Sequence, residues 1–499
     1  MGKFKNSLKS LVGSRHALGG ALTAAIIAVV VVFNGVIYAL TSLLGIYTDP
    51  TSEYDLSISG NTDHLFEEAE LLDREVKIIF CTPEDDLLVH ETGKFVQATA
   101  RELEKRYGFI KIEYYNVISE ADKLIKYKGD GKLLSSSVIF DCEGNYKVIT
   151  DLYSSAGFAD FFALNASSVP IAYIGEEVMC SMVSWVLTKE HKKVYFTENH
   201  GETADVALST LLNCAGYVID PENYTVNLTK NPVPEDCELL IISSPVTDIE
   251  KPADGSSVIT EKNRLEAYLE KGGNLFVTID PYGKRLPVLE EILRSYGIEL
   301  TYGLNEDGKE VRAIVSESRD AVYADGLTFL AGYAEGELSE AIAKDMEKYG
   351  SGKALISQSG ALKLSGEAKP LLKSSAGSSL YLGGSISDRE GEYTVAAYSE
   401  THSDDGRKGK ILLLPGVYFT ASNVLVNPGA ANKDYTYALL SRLYGAPTAP
   451  YGTSSIVFTT GALDGFTMGR ARLYTAIIMA IPVALAVVGT VIIIKRKNR

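Results

Sequence analysis

The stretch CELLIISSP (Cys237–Pro245), followed by TEKNRLEAYLEKGG (Thr260–Gly273) and NLFVTIDPYG (Asn274–Gly283), decides the fold. LLII is an unbroken apolar run of strand length, as expected of a strand buried on both faces, and Pro245 ends it. The middle segment has helical periodicity and closes on two glycines; the last is again apolar and stops at Asp280-Pro281. Strand, helix and strand in that order, with polar or proline residues at each strand's carboxyl end, predict a parallel α/β sheet.

The same rhythm extends outward. Upstream lie a helix, IGEEVMCSMVSWVL (Ile174–Leu187), a strand, KKVYFTENHGE (Lys192–Glu202), and a helix, DVALSTLLNCAGY (Asp205–Tyr217). The apolar stripe of the first helix, with Met179, Met182 and Trp185, is expected in the core. From about Glu310 the pattern loosens into Gly/Ser-rich segments. It tightens again at YTVAAYSE, at KGKILLLPG and at DYTYALLSRLYG, which are expected to return to the same sheet. A doubly wound α/β region over 170–450 results. Before it, REVKIIFC, FVQATARELEKRYG, IKIEYYNV and SSSVIFDCEG read as strand, helix, strand and strand, a small thioredoxin-like α/β domain over 60–160. It has no CxxC, so no redox chemistry attaches.

Both ends of the chain are apolar. No charged residue occurs from Ala17 to Thr48, and the run from Leu473 to Ile494 is followed at once by Lys495, Arg496 and Lys497. Each exceeds or matches the ~20 residues that cross a bilayer. The expected organisation is a basic tail (1–16), a membrane helix (17–46), an extracytoplasmic body, a second membrane helix (473–494) and a basic tail (495–499). By the positive-inside rule both termini are cytoplasmic. The eight Lys/Arg of the tails set aside, 40 basic residues face 64 acidic ones, a net of −24. Such a body repels phosphate backbones and anionic membrane surfaces, so no nucleic acid is expected as a partner. The five cysteines, Cys81, Cys142, Cys180, Cys214 and Cys237, show no metal-ligand spacing and read as core residues without a disulfide.

Ligands on parallel sheets sit beyond the carboxyl ends of the strands, where Asn199, His200, Gly201, Glu202, Ser244 and Asp280 all fall. His200 and Glu202, two apart around a glycine, are compatible with acid–base chemistry, with metal binding alongside Glu198, His191 or Asp280, or with a tight turn. No HExxH or other His pair supports a metal. Ser244 is the best stand-in for a nucleophile, yet Pro245 removes the backbone N–H that the residue after a nucleophile gives to an oxyanion hole. The reading adopted is a strand-turn-helix joint in which Asn199 or Gly201 has positive φ and His200 and Glu202 support the joint or line a crevice, without catalytic residues, metal or cofactor.

The ordered set IGEE, HGE, LLIISSP, YLEKGGNLFVTIDP, PLLKSS and KILLLPGVYFTASN, closed by a C-terminal apolar run, resembles the GldG-type auxiliary proteins of ABC transport systems, from about Arg74 to the C terminus. Asn199 stands where that family has the first Gly of Gly-His-Gly-Glu. The segment Pro415–Asn423 lacks the family's Asp. The resemblance implies a non-enzymatic accessory subunit beside a separate ATPase and a separate permease, with a body laid out like class I glutamine amidotransferases. The chain has no GxxxxGK[ST] phosphate loop, so the ATPase must be another chain.

Overall fold

Apolar strands buried on both faces require helices above and below, and the computed structural model has that arrangement. It describes residues 58–458 apart from 67–73, 90, 130–131, 153–160, 165–168, 190, 203–205, 221–222, 254–257, 350–351, 388–389 and 403–405. The two apolar runs and basic tails lie outside the described residues, among which no helix is long and apolar enough to cross a membrane.

A four-stranded sheet comes first: β1 (Val76–Phe80), β2 (Ile110–Tyr114), β3 (Val138–Cys142) and β4 (Asn145–Ile149), in the order β2-β1-β3-β4. β1 and β2 are parallel, joined by α1 (Glu91–Arg106); β3 runs antiparallel to both β1 and β4. β4 follows β3 in a hairpin and is only weakly marked in the sequence. Its signal is the pair Glu143-Gly144, whose positive φ values of 55° and 92° form the tight hairpin turn. Helix α2 (Gly175–Leu187), expected with the larger region, packs on β3 and β4 of this small sheet. Met179 and Met182 are fully buried there, while Trp185 is half-buried and stacks on His191 with ring centroids 3.7 Å apart.

The large sheet has a parallel half: β5 (Lys192–Thr197), β6 (Cys237–Ser243), β7 (Leu275–Thr278) and β9 (Lys408–Leu414), neighbours in that order. The sequence predicted parallel strands throughout; β8 (Thr394–His402) instead pairs antiparallel with β9 and continues the sheet through further antiparallel pairs. Leu239 and Ile241 of β6 join one core with Val194, Phe196 and Phe276. Leu240 and Ile242 join the other with Leu275, Val277 and Leu413. Helices α3 (Val206–Cys214) and α6 (Asn432–Tyr444) supply the first face, α4 (Glu261–Glu270) and α5 (Pro287–Ser295) the second. All five cysteines are free thiols.

One buried carboxylate joins the two ends of the described chain. Glu176, on α2, accepts the backbone N–H and hydroxyl of Ser59 on Oε1 at 2.8 and 2.6 Å, and those of Ser454 on Oε2 at 3.0 and 2.6 Å. Glu176→Ala leaves those donors without their acceptor, at about 1–3 kcal/mol. We expect amide exchange to quicken at Ser59 and Ser454 together; quickening at one end alone would show that the two segments are held independently.

Candidate functional site

Strand β5 must release its chain into α3 within a few residues, and the sequence solves this with two left-handed positions. Asn199 has φ 90° and Gly201 φ 76°, so both predicted candidates take the conformation. A Cβ on Gly201 would lie 3.1 Å from the Cβ of Val246, so the glycine also allows close approach. The His200 carbonyl accepts the N–H groups of Val246 and Thr247, at 2.8 and 3.0 Å, fastening the joint to the loop after β6.

His200 is 4% exposed. Its Nδ1 lies 3.0 Å from Glu202 Oε1 and its Nε2 2.9 Å from Oε2 of Glu261, the first residue of α4. The His200 main-chain N–H donates to Glu202 Oε2 at 2.7 Å, and the Glu250 N–H to Glu261 Oε2 at 2.7 Å. An ionised carboxylate only accepts, so an imidazole that faces two ionised carboxylates donates from both nitrogens, as an imidazolium does. Burial pushes the His200 pKa down, but the hydrogen bonds and charges of Glu202 and Glu261 more than offset it and lift the value to about 9. Burial raises the Glu202 carboxyl, and the His200 ring together with backbone N–H groups brings it below the usual range.

Ser244 and Asp280 stand on the same edge but outside this cluster. Ser244 has φ 49°, donates its N–H to the Thr278 carbonyl at 3.0 Å, and keeps its hydroxyl 3.0 Å from that of Thr278. The Asp280 carboxylate accepts the Tyr282 N–H at 2.9 Å, and its carbonyl accepts Arg312 Nη1 at 2.6 Å. The six predicted residues are thus all at the carboxyl ends of three adjacent strands, with His200 and Glu202 alone in direct side-chain contact. Of the possible metal companions, Glu198 accepts the Thr225 hydroxyl at 2.8 Å and His191 stacks on Trp185. Among the described residues no three His, Cys, Asp or Glu side chains are placed to hold a metal ion.

The second partner of His200, Glu261, has no signal in the sequence. Nothing in TEKN marks it as a ligand of a histidine 61 positions earlier. Only the pairing of β5 with β6 brings the start of α4 to His200.

Charge pairing of this kind fixes a pH dependence. His200 titrates near 9 when folded and ~6.5 when unfolded, so its stabilisation is full below about pH 6.5 and declines as pH rises through 9. Glu202, lowered in the fold, stabilises above its unfolded value of ~4.3 and loses this as pH falls. The wild-type melting temperature is therefore expected to drop between pH 7 and pH 10 by more than that of a His200→Gln variant. Parallel curves over that interval would contradict the assignment.

No family model matches the chain, and no curated protein matches it. Solved structures that match include the mmIFT52 N-terminal domain, 15% identical, over 50% of this chain and 97% of that one, with a TM-score of 0.35. Another is a putative ThuA-like protein from Bacteroides uniformis, 13% identical, over 52% of this chain and 95% of that one, with a TM-score of 0.31.

Proposed function

We propose that the chain is a non-enzymatic auxiliary subunit of an ABC-type transport system, anchored by two membrane helices with both termini cytoplasmic. Its acidic extracytoplasmic body recognises or gates a substrate or a cell-envelope partner. Its partners are a separate ATPase and a separate permease, of the GldG-type systems that the sequence resembles. The body has a thioredoxin-like layout, supported by the order β2-β1-β3-β4 with β3 antiparallel. Its larger part has a class I glutamine amidotransferase-like layout, supported by the parallel strands with helices on both faces.

The observation that carries the non-enzymatic reading is the double engagement of His200: with a carboxylate on each nitrogen, the ring has no lone pair to take a proton from a nucleophile. An amidotransferase-like hydrolase would need such a base, and the Ser244 hydroxyl is directed to Thr278 instead. The test is affinity capture of the tagged chain from its native membrane in mild detergent. Recovery of an ATPase and a multi-span permease supports the proposal. Reproducible recovery of neither overturns it in favour of a free-standing sensor or scaffold.

A further inference from the structure

A cavity of about 260 Å³ opens beyond the carboxyl ends of β1 and β2, away from the His200 cluster and lined by residues that the fold leaves unused. Thr82, which follows β1, is 8% exposed, and its hydroxyl has no protein partner among the described residues. A hydroxyl without a protein partner is free to bond a group that enters the space. Asp86 at the mouth is exposed, with no ion pair among the described residues, and is the charged residue lining the space. Ser135, which is exposed, also lines the space. Asn116 fixes the remaining wall by accepting the N–H groups of Ile118 and Ser119 at 2.9 and 3.0 Å. Ile118 is 86% exposed at the rim, an aliphatic side chain that the core does not claim. Cys81 also borders the cavity but is fully buried in the core, and burial pushes its thiol up to about 11.

These groups share one preference. A carboxylate and two hydroxyls accept three hydrogen bonds, the number that an ammonium donates, and an aliphatic rim beside them suits an alkyl stem. The volume is below the ~300–1,000 Å³ of drug-sized sites, so it admits a group the size of one side chain rather than a cofactor. We propose that this cavity binds a primary alkylammonium, held by Asp86, Thr82 and Ser135 with its stem on Ile118. The site is independent of the transport reading, and its source is either a lysine side chain of a basic protein surface or a free amine.

The test is calorimetric titration of the full chain in nanodiscs with three probes: n-butylammonium, Nα-acetyl-lysine N-methylamide and the norleucine counterpart that lacks the ammonium. Saturable binding of the two amines is expected, with norleucine amide and the Asp86→Asn variant each weaker by about tenfold or more, the weight of a charge-assisted hydrogen bond. Asp86 is exposed, so this variant is expected to fold normally. Thr82→Val should also weaken binding and Thr82→Ser should retain it. Tighter binding of the lysine amide assigns a protein source, and tighter binding of butylammonium a free amine. Absence of saturable amine binding, equal binding of norleucine amide, or indifference to Asp86→Asn overturns the proposal.

Discussion

Replacing His200 by leucine is expected to destabilise the body by about 3–5 kcal/mol, because it strands two carboxylates, Glu202 and Glu261, in a site where both are nearly inaccessible. Removing one member of a buried charge cluster is costly in this way even when the intact cluster adds little net stability: the Coulomb gain and the desolvation cost nearly cancel until a partner disappears. The companion is the triple variant His200→Leu, Glu202→Gln, Glu261→Gln. It keeps acceptor oxygens for the N–H groups of His200 and Glu250 but carries no charge, and should recover most of the loss. Thermal unfolding in detergent at pH 7 checks both. A His200→Leu cost under about 1 kcal/mol, the size of an exposed ion pair, would mean that the carboxylates find water or protons instead. The same substitution distinguishes a structural role from a chemical one, because a structural role couples any loss of function to loss of stability.

A second large effect is expected at Arg312, whose side chain is 3% exposed and whose partner Glu290 is 5% exposed. The guanidinium donates to the carbonyls of Asp280, Gly283 and Lys284 at 2.6, 3.2 and 2.6 Å, to the Tyr302 hydroxyl at 3.1 Å, and to Glu290 Oε1 at 3.2 Å. It therefore holds the loop that carries Asp280 onto the end of β7, a task that its planar fork performs and a lysine cannot reproduce. Arg312→Met should cost about 3–5 kcal/mol and expose the loop at 280–285 to proteolysis, with Arg312→Lys rescuing only part. Adding Glu290→Gln to Arg312→Met should return part of the stability but not loop protection, since the carbonyls of Gly283 and Lys284 still lack the guanidinium's donors. Unchanged proteolysis of Arg312→Met would show that the loop is held by its own turn, in which the Gly283 N–H donates to the Asp280 carbonyl at 3.1 Å.

The parts of this fold legible in the sequence are those with a strong local period. CELLIISSP, the helix after Thr260 and NLFVTIDP each announce their structure, and the Asn-x-Gly at 199–201 announces its turn, because these features are set within a few residues. Thr260 adds a local cap, its N–H donating to Asn263 Oδ1 at 3.1 Å. Hidden were the features set by neighbours distant in sequence. β4 is short, with most of its residues only half-buried, and carries no strong alternation. Helix α2 is apolar on enough of its surface to serve either sheet, and its sequence does not say which. At the candidate site, the sequence showed a histidine and a glutamate in a turn, one half of a charge cluster. The other half, Glu261, is supplied by the next parallel strand's helix and is invisible until β5 and β6 are paired. That missing half changes the chemistry, since a His with one carboxylate resembles a catalytic dyad and a His between two is a fixed cation.

The protonation state of His200 is therefore the most direct test of the account. The measurement is the ¹⁵N spectrum of the histidine rings in ¹⁵N-histidine-labelled full-length chain at pH 7.5, with the His200 signals assigned by their loss in His200→Gln. The account predicts that both ring nitrogens of His200 carry a proton and titrate only near pH 9. A neutral ring at pH 7.5, with one unprotonated nitrogen, would contradict it and restore His200 as a general base.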